Sequence, residues 1–114
     1  MTSKYTQDRL EFDEVTIAIS GTVSTIVDLI GKVPVGIIPP AALTGTAFTI
    51  QLSEDGSTFY NFYNTSGTQA SITVAVDRWI GFTPGDFAGA RYMKLVSGST
   101  EAAERTITIV MRGM

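Results

Sequence analysis

Apolar residues in this chain recur at every second position, in short runs, and each run is stopped by turn-forming residues. Residues 47–53 are the plainest case. Phe48, Ile50 and Leu52 face one way and Thr49, Gln51 and Ser53 the other, which is the period of a half-buried strand. Glu54-Asp55-Gly56-Ser57 follows, and Asp-Gly is a strong hairpin signal because the turn needs positive φ. No window of about a dozen residues keeps a 3.6-residue period, so helices are excluded as the main element. Thr, Val, Ile and Gly dominate, and β-branched side chains suit a pleated surface.

The same punctuation divides the rest of the chain. Residues 12–19 set Val15, Ile17 and Ile19 against Glu14, Thr16 and Ala18, a strand with one buried face. Ser20-Gly21 turns into residues 22–30. There Val23, Thr25, Val27 and Leu29 form one face, while Ile26 and Ile30 interrupt the other, as a bulge or two buried faces would require. Residues 33–38 are extended, but Pro34 donates no ladder hydrogen bond, which predicts an edge strand or a covering segment. Pro39-Pro40-Ala41-Ala42-Leu43 predicts one helical turn, closed by Gly45. Residues 58–64 return after the Asp-Gly turn and residues 70–76 follow Ser66-Gly67-Thr68. Residues 47–76 therefore read as a three-stranded meander, with Ile72, Val74 and Val76 inward. Residues 78–82 form a short strand with Trp79, residues 83–89 a tight connection, and residues 92–97 a strand with Met93 and Leu95 inward. A polar loop, residues 97–104, leads to a last strand, residues 105–112, with Ile107, Ile109 and Met111 in and Thr106 and Thr108 out. About nine short strands predict an all-β fold, an antiparallel two-sheet β-sandwich of jelly-roll or immunoglobulin-like type.

The 114 residues suit one domain. We read residues 12–114 as that domain and residues 1–11 as an N-terminal arm holding Lys4, Tyr5 and Arg9. The arm is either a frayed terminus or a segment that orders on a neighbouring subunit through Tyr5 and Leu10. Its polar composition predicts no signal peptide, hence a chain made and kept, or assembled, in a cytoplasm. The longest apolar stretch, residues 33–43, is too short for a bilayer and carries Pro34, Pro39 and Pro40. No membrane association is expected.

Composition then narrows the chemistry. With 44 % apolar and 17 % charged residues the chain is not disordered. Its 8 basic and 11 acidic residues leave a net charge of −3, and Lys and Arg are spread singly. Nucleic-acid binding is therefore not expected, and neither Gly-rich phosphate-loop motif occurs. Cys and His are absent, which removes thiol nucleophiles, imidazole bases, disulfides and Cys/His zinc sites. A Ser or Thr nucleophile lacks an adjacent base. The acidic residues sit in turns and on polar faces rather than as a facing catalytic pair. The expectation is a non-enzyme without cofactor. Glu54, Asp55 and Ser57 offer oxygen ligands, but not at calcium-loop spacing, and the hairpin explains Asp-Gly without a metal.

The aromatics carry more information. Tyr60, Tyr63, Trp79 and Tyr92 are suited to stacking on sugar rings or anchoring a protein interface; the plainer reading places most of them in the core and its rim. In residues 59–63, Phe59 and Tyr63 share one face and Tyr60 and Phe62 the other. One small sandwich does not easily hide both, so one face is expected to meet another chain.

Three stretches stand out together. They are Gln51-Leu52-Ser53-Glu54-Asp55-Gly56-Ser57-Thr58-Phe59-Tyr60, then Thr83-Pro84-Gly85-Asp86-Phe87-Ala88-Gly89-Ala90-Arg91-Tyr92-Met93-Lys94-Leu95-Val96-Ser97-Gly98, then the closing Arg105-Thr106-Ile107-Thr108-Ile109-Val110-Met111-Arg112. This succession, over about the last two-thirds of the chain, resembles small accessory virion structural proteins of tailed bacteriophages, of the head decoration (cement) kind. The resemblance implies a non-enzymatic homo-oligomer, a trimer in many such proteins, that binds the major capsid protein and stabilises the head shell. It implies a place in the virion, reached by assembly in the host cytoplasm. The expected subunit or capsid contacts are Lys4, Tyr5 and Arg9 in the arm and Tyr60 and Tyr63 on the aromatic strand. Two alternatives stay open: a neck, tail or receptor-binding component, and a carbohydrate-binding β-sandwich module with the tyrosines and Trp79 as its platform.

Overall fold

The computed structural model describes residues 10–113. The last strand of the chain, β9 (Arg105–Gly113), lies inside a sheet, flanked by β1 (Leu10–Ile17) and β3 (Lys32–Ile38), with β7 (Ile80–Gly81) beyond β3. The second sheet runs β2 (Val27–Asp28), β8 (Tyr92–Ser97), β4 (Ala47–Ser53), with β5 (Tyr60–Asn61) and β6 (Ser71–Thr73) both on the far edge of β4. Every pair of these strands is antiparallel. A short 3-10 turn, Pro84–Phe87, precedes β8. The alternation places the core as expected: Val15, Ile17, Ile107, Ile109 and Met111 from one sheet meet Phe48, Ile50, Met93 and Leu95 from the other, all fully buried. Each such side chain contributes about 1.5–3 kcal/mol of transfer free energy. The chain is thus an antiparallel two-sheet β-sandwich.

Several elements differ from the sequence reading, each for an identifiable reason. The first strand begins at Leu10 and ends at Ile17, so two residues assigned to the arm are in the sheet, and Leu10 pairs Arg112 rather than reaching a neighbour. Residues 1–9, with Lys4, Tyr5 and Arg9, lie outside the described residues. Ile19 is exposed, not inward, because the strand stops before it and Ser20 turns the chain at φ +67°. Residues 22–30 do not make a long strand. Their hydrogen bonds divide between the two sheets: Ser24 N donates to Leu95 O of β8, whereas Thr25 N donates to Thr16 O of β1. Val27 and Leu29 are buried while Val23, Ile26 and Ile30 stay exposed. This segment stitches one flank of the sandwich shut.

Pro34 is not on an edge strand, since β3 sits between β9 and β7. The ladder tolerates it through a register shift between Pro34 and Gly36, the bulge that proline in a sheet requires. The helical turn expected at residues 39–43 is absent. The amides of Thr44 and Gly45, which would close it, donate instead to the Glu101 carboxylate. The meander is also corrected. β5 pairs Gln51 and Leu52, and β6 pairs Ala47 to Thr49, on the same edge of β4. Residues 60–73 are therefore one edge strand interrupted by an eight-residue excursion, residues 63–70, whose register offset the two pairings define. Val76 is only half-buried, whereas Val74 is in the core.

Candidate functional site: an acidic aromatic groove

The strand reading of residues 58–64 put Tyr60 and Phe62 on one face, and the structure explains how that face is shared between core and solvent. Phe62 donates its amide to Ile50 O at 2.9 Å and turns inward, its ring 5.4 Å from that of Phe87. Phe87 is held in the core by the 3-10 turn and also meets Phe82 at 5.2 Å. These three rings plug the end of the sandwich. Tyr60, opposite Leu52 at the end of the ladder, lies beyond the plug and is 67 % exposed. Tyr63 opens the excursion, is 53 % exposed, and is bridged to Gln69.

Both tyrosines line one groove of about 530 Å³ between the end of β4–β5 and the 3-10 turn. Leu52, Phe62 and Ala90 supply its apolar lining; Asn61, Glu54 and Asp86 supply polar groups. No lysine or arginine lines it, so the groove is acidic. Gln51 Nε2 donates to Asn61 Oδ1 at 3.1 Å, which takes one of the amide oxygen's two lone pairs and orients its NH₂ as a donor. Next to it, Asp55 is committed to the turn: its Oδ1 accepts from the amides of Thr58 and Ser57 and from Ser53 Oγ. Those bonds, Thr58's first, hold its carboxyl below the usual range. Gly56 supplies the positive φ, +81°. The Asp55 carboxylate is thus engaged in building the turn, while Glu54 lines the groove.

A second aromatic surface lies on the outer face of the first sheet. Phe12, Val110 and Gly36 form one row across β1, β9 and β3. Trp79 meets Phe12 edge to face, ring centroids 6.4 Å apart, and a Cβ on Gly36 would stand 2.9 Å from the indole Nε1. The missing Cβ lets the indole lie close over the sheet. Val110 points away from the core yet is 1 % exposed, consistent with cover from these two rings. Phe12 and Trp79 themselves are 57 % and 60 % exposed.

No protein-family profile matches this chain and no curated protein matches it in sequence. The fold does have a counterpart. The crystal structure of SPBc2 prophage-derived protein YomS superposes with a TM-score of 0.58, covering 90 % of this chain and 93 % of that one at 11 % identity. At that identity the likeness concerns the fold.

Of the residues predicted to make contacts, the structure thus brings Tyr60 and Tyr63 together on one groove. The other two aromatics considered with them go elsewhere. Tyr92 packs against Gly56 and under the Arg91 guanidinium, 5.0 Å from its ring centre, and Trp79 belongs to the Phe12 surface. Sequence reasoning missed Phe12 and Asp86 as site residues. The signal for Phe12 was available, since it falls on the same side of the strand as Glu14 and Thr16, opposite Val15 and Ile17. Asp86 had none, because its place depends on how the 3-10 turn docks.

Glu101 carries no such signal either, since the polar composition of residues 97–104 reads only as a loop. This carboxylate is 1 % exposed and accepts from Thr44 N, Gly45 N and Ser97 Oγ, each at 2.8 Å, and from Arg105 Nε at 3.0 Å. Its backbone joins Ser20 and Gly21 through two further hydrogen bonds. Burial pushes the carboxyl up, but these donors outweigh it and bring it down to about 2. With all its oxygens engaged, Glu101 is a fastener of three loops.

Proposed function

We propose that this chain is a non-enzymatic structural protein of a phage virion, and that within the virion it decorates the head shell. The observation that carries the phage assignment is the near full-length likeness of its fold to a prophage-derived protein. The decoration role rests on the motif resemblance together with the exposed aromatic surface of the first sheet. Phe12 lies two residues beyond the start of β1 and is close in sequence to the arm of residues 1–9. Arm and face together form a continuous contact for the major capsid protein, with Lys4 and Arg9 supplying charge and Tyr5, Phe12 and Trp79 the apolar anchors. Bound as a homo-oligomer, with a trimer preferred, the protein bridges neighbouring capsid subunits. Binding only the expanded shell, it stabilises that state by mass action, and several weak contacts add through multivalency.

The test is the copy number in purified particles, by quantitative mass spectrometry against the major capsid protein. A number comparable with that of the capsid protein is expected. A handful of copies would move the chain to the neck or tail, and none would overturn the virion reading. The arm is tested separately. Deletion must stop at residue 9, because Leu10 and Glu11 belong to β1. Removing residues 1–9 is expected to weaken binding to expanded heads; unchanged binding would remove the arm from the contact.

A further inference from the structure

The groove between the end of β4–β5 and the 3-10 turn is not used by the contact proposed above, and its chemistry differs from that of the Phe12–Trp79 face. We propose that the groove bounded by Tyr60, Tyr63, Asn61, Glu54 and Asp86 is a binding site for a neutral oligosaccharide. The inference stands independently of where the chain sits in a particle.

Three observations lead to this ligand class. The first is the pair of exposed tyrosines on one groove. The C–H face of a pyranose ring is apolar and packs on an aromatic face, while the phenol oxygens remain at the rim to exchange hydrogen bonds. The second is the mixture of polar groups. Glu54 and Asp86 are acceptors; Asn61, its oxygen held by Gln51, adds an NH₂ donor. Sugar hydroxyls both donate and accept, so they use both kinds. A cationic side chain by itself would use the carboxylates and the rings but offer no acceptor to the amide, so the tetralysine arm of the experiment separates the two ligand classes. The third is charge. Two carboxylates with no lining cation repel sulfated, sialylated or uronic acid units, which excludes anionic sugars. The volume, about 530 Å³, lies in the ordinary range of small-molecule sites, about 300–1,000 Å³. The groove is open to solvent, which suits a segment of a longer glycan that enters and leaves.

The experiment is a residue-resolved NMR titration of the full chain with neutral oligomers of glucose, galactose, mannose and N-acetylglucosamine, and with tetralysine in parallel. The expected result is a saturable shift of the Tyr60, Asn61, Tyr63 and Asp86 signals by at least one neutral sugar. Tyr60→Ala should then weaken that binding by about tenfold, the loss of one aromatic anchor, and Asp86→Asn should weaken it less. Tyr60 is largely exposed, so the signals of Val15 and Ile107 should stay in place and report an intact core. The proposal is overturned by no saturable shift with any sugar, by shifts confined to other surfaces, or by a response to tetralysine alone, which would make the groove a cation site. Copy number in particles is read separately, so failure of one proposal leaves the other standing or falling on its own measurement.

Discussion

Glu101 is the residue on which most of the loop structure depends. Four donors from three parts of the chain converge on a carboxylate with no solvent contact. Removing it leaves the buried Gly45 amide, the part-buried Thr44 amide and the Arg105 guanidinium without their partner, and breaking such a buried pair costs about 3 kcal/mol. Glu101→Ala should lower stability by that amount in urea unfolding. Glu101→Gln should lower it too, because its NH₂ would face donors. The same residue predicts acid sensitivity. The folded carboxyl titrates near 2 and the ordinary value is 4.5, so acid protonates the unfolded chain first. The contribution is complete above about 4.5 and is lost as pH falls from there to about 2. Unfolding midpoints measured across that range should fall more steeply for the natural chain than for Glu101→Gln; parallel slopes would show that other carboxylates dominate. Gly45 belongs to the same arrangement, because a Cβ there would collide with Ser97 Oγ.

At the scale of elements, the edge of the second sheet makes the sharpest prediction. The pairings of β5 and β6 with β4 lie on one line, and they differ in register by the eight residues of the excursion. An even number preserves the inward and outward alternation. Deleting residues 63–70, so that Phe62 precedes Ser71, should give one continuous strand opposite β4. The deleted variant should fold with stability within about 1 kcal/mol of the parent, since loop length enters only logarithmically. Circular dichroism and thermal unfolding check this; loss of the β signal would mean that the excursion holds the edge in place. The excursion is largely self-contained, with Asn64 Oδ1 accepting from the amides of Ser66 and Thr68. It also carries Tyr63, so its presence shapes the groove more than the sheet.

For the whole molecule, the two sheets should not unfold separately. They share one core, and residues 22–29 hydrogen-bond to both along one flank. Trp79 lies over the outer face of the first sheet, against Phe12 and Gly36. Its fluorescence during denaturation should therefore follow the far-ultraviolet circular dichroism of the whole fold, with coincident midpoints. Two separated transitions would show that the flank and core do not couple the sheets. Cooperativity also follows from chain order: β9, the last of the described strands, pairs with both β1 and β3, so the first sheet closes only when β9 is in place.

Much of this was legible in the sequence. Alternation alone placed the buried faces of β4, β8 and β9, because a strand between two neighbours has its side chains divided strictly between core and solvent. The hairpin at Asp55-Gly56 was equally plain, since only a few residue types accept its backbone geometry. Edges and loops were not. Residues 22–30 and 58–76 carry strand-like composition, but a segment at a flank or an edge can give its amides to either sheet, or leave the ladder for eight residues, with no change in its local pattern. The groove combined one legible part, two tyrosines on an over-aromatic strand, with one that was not, the docking of Asp86 and Ala90 against them. The sequence by itself determined an antiparallel sandwich, its core faces and its aromatic strand, because these follow from local periodicity. Tertiary structure decided where Glu101 goes, how Val110 is covered on the outer face, and which exposed rings share a groove. Those depend on contacts between residues distant in the chain, and no local pattern encodes them.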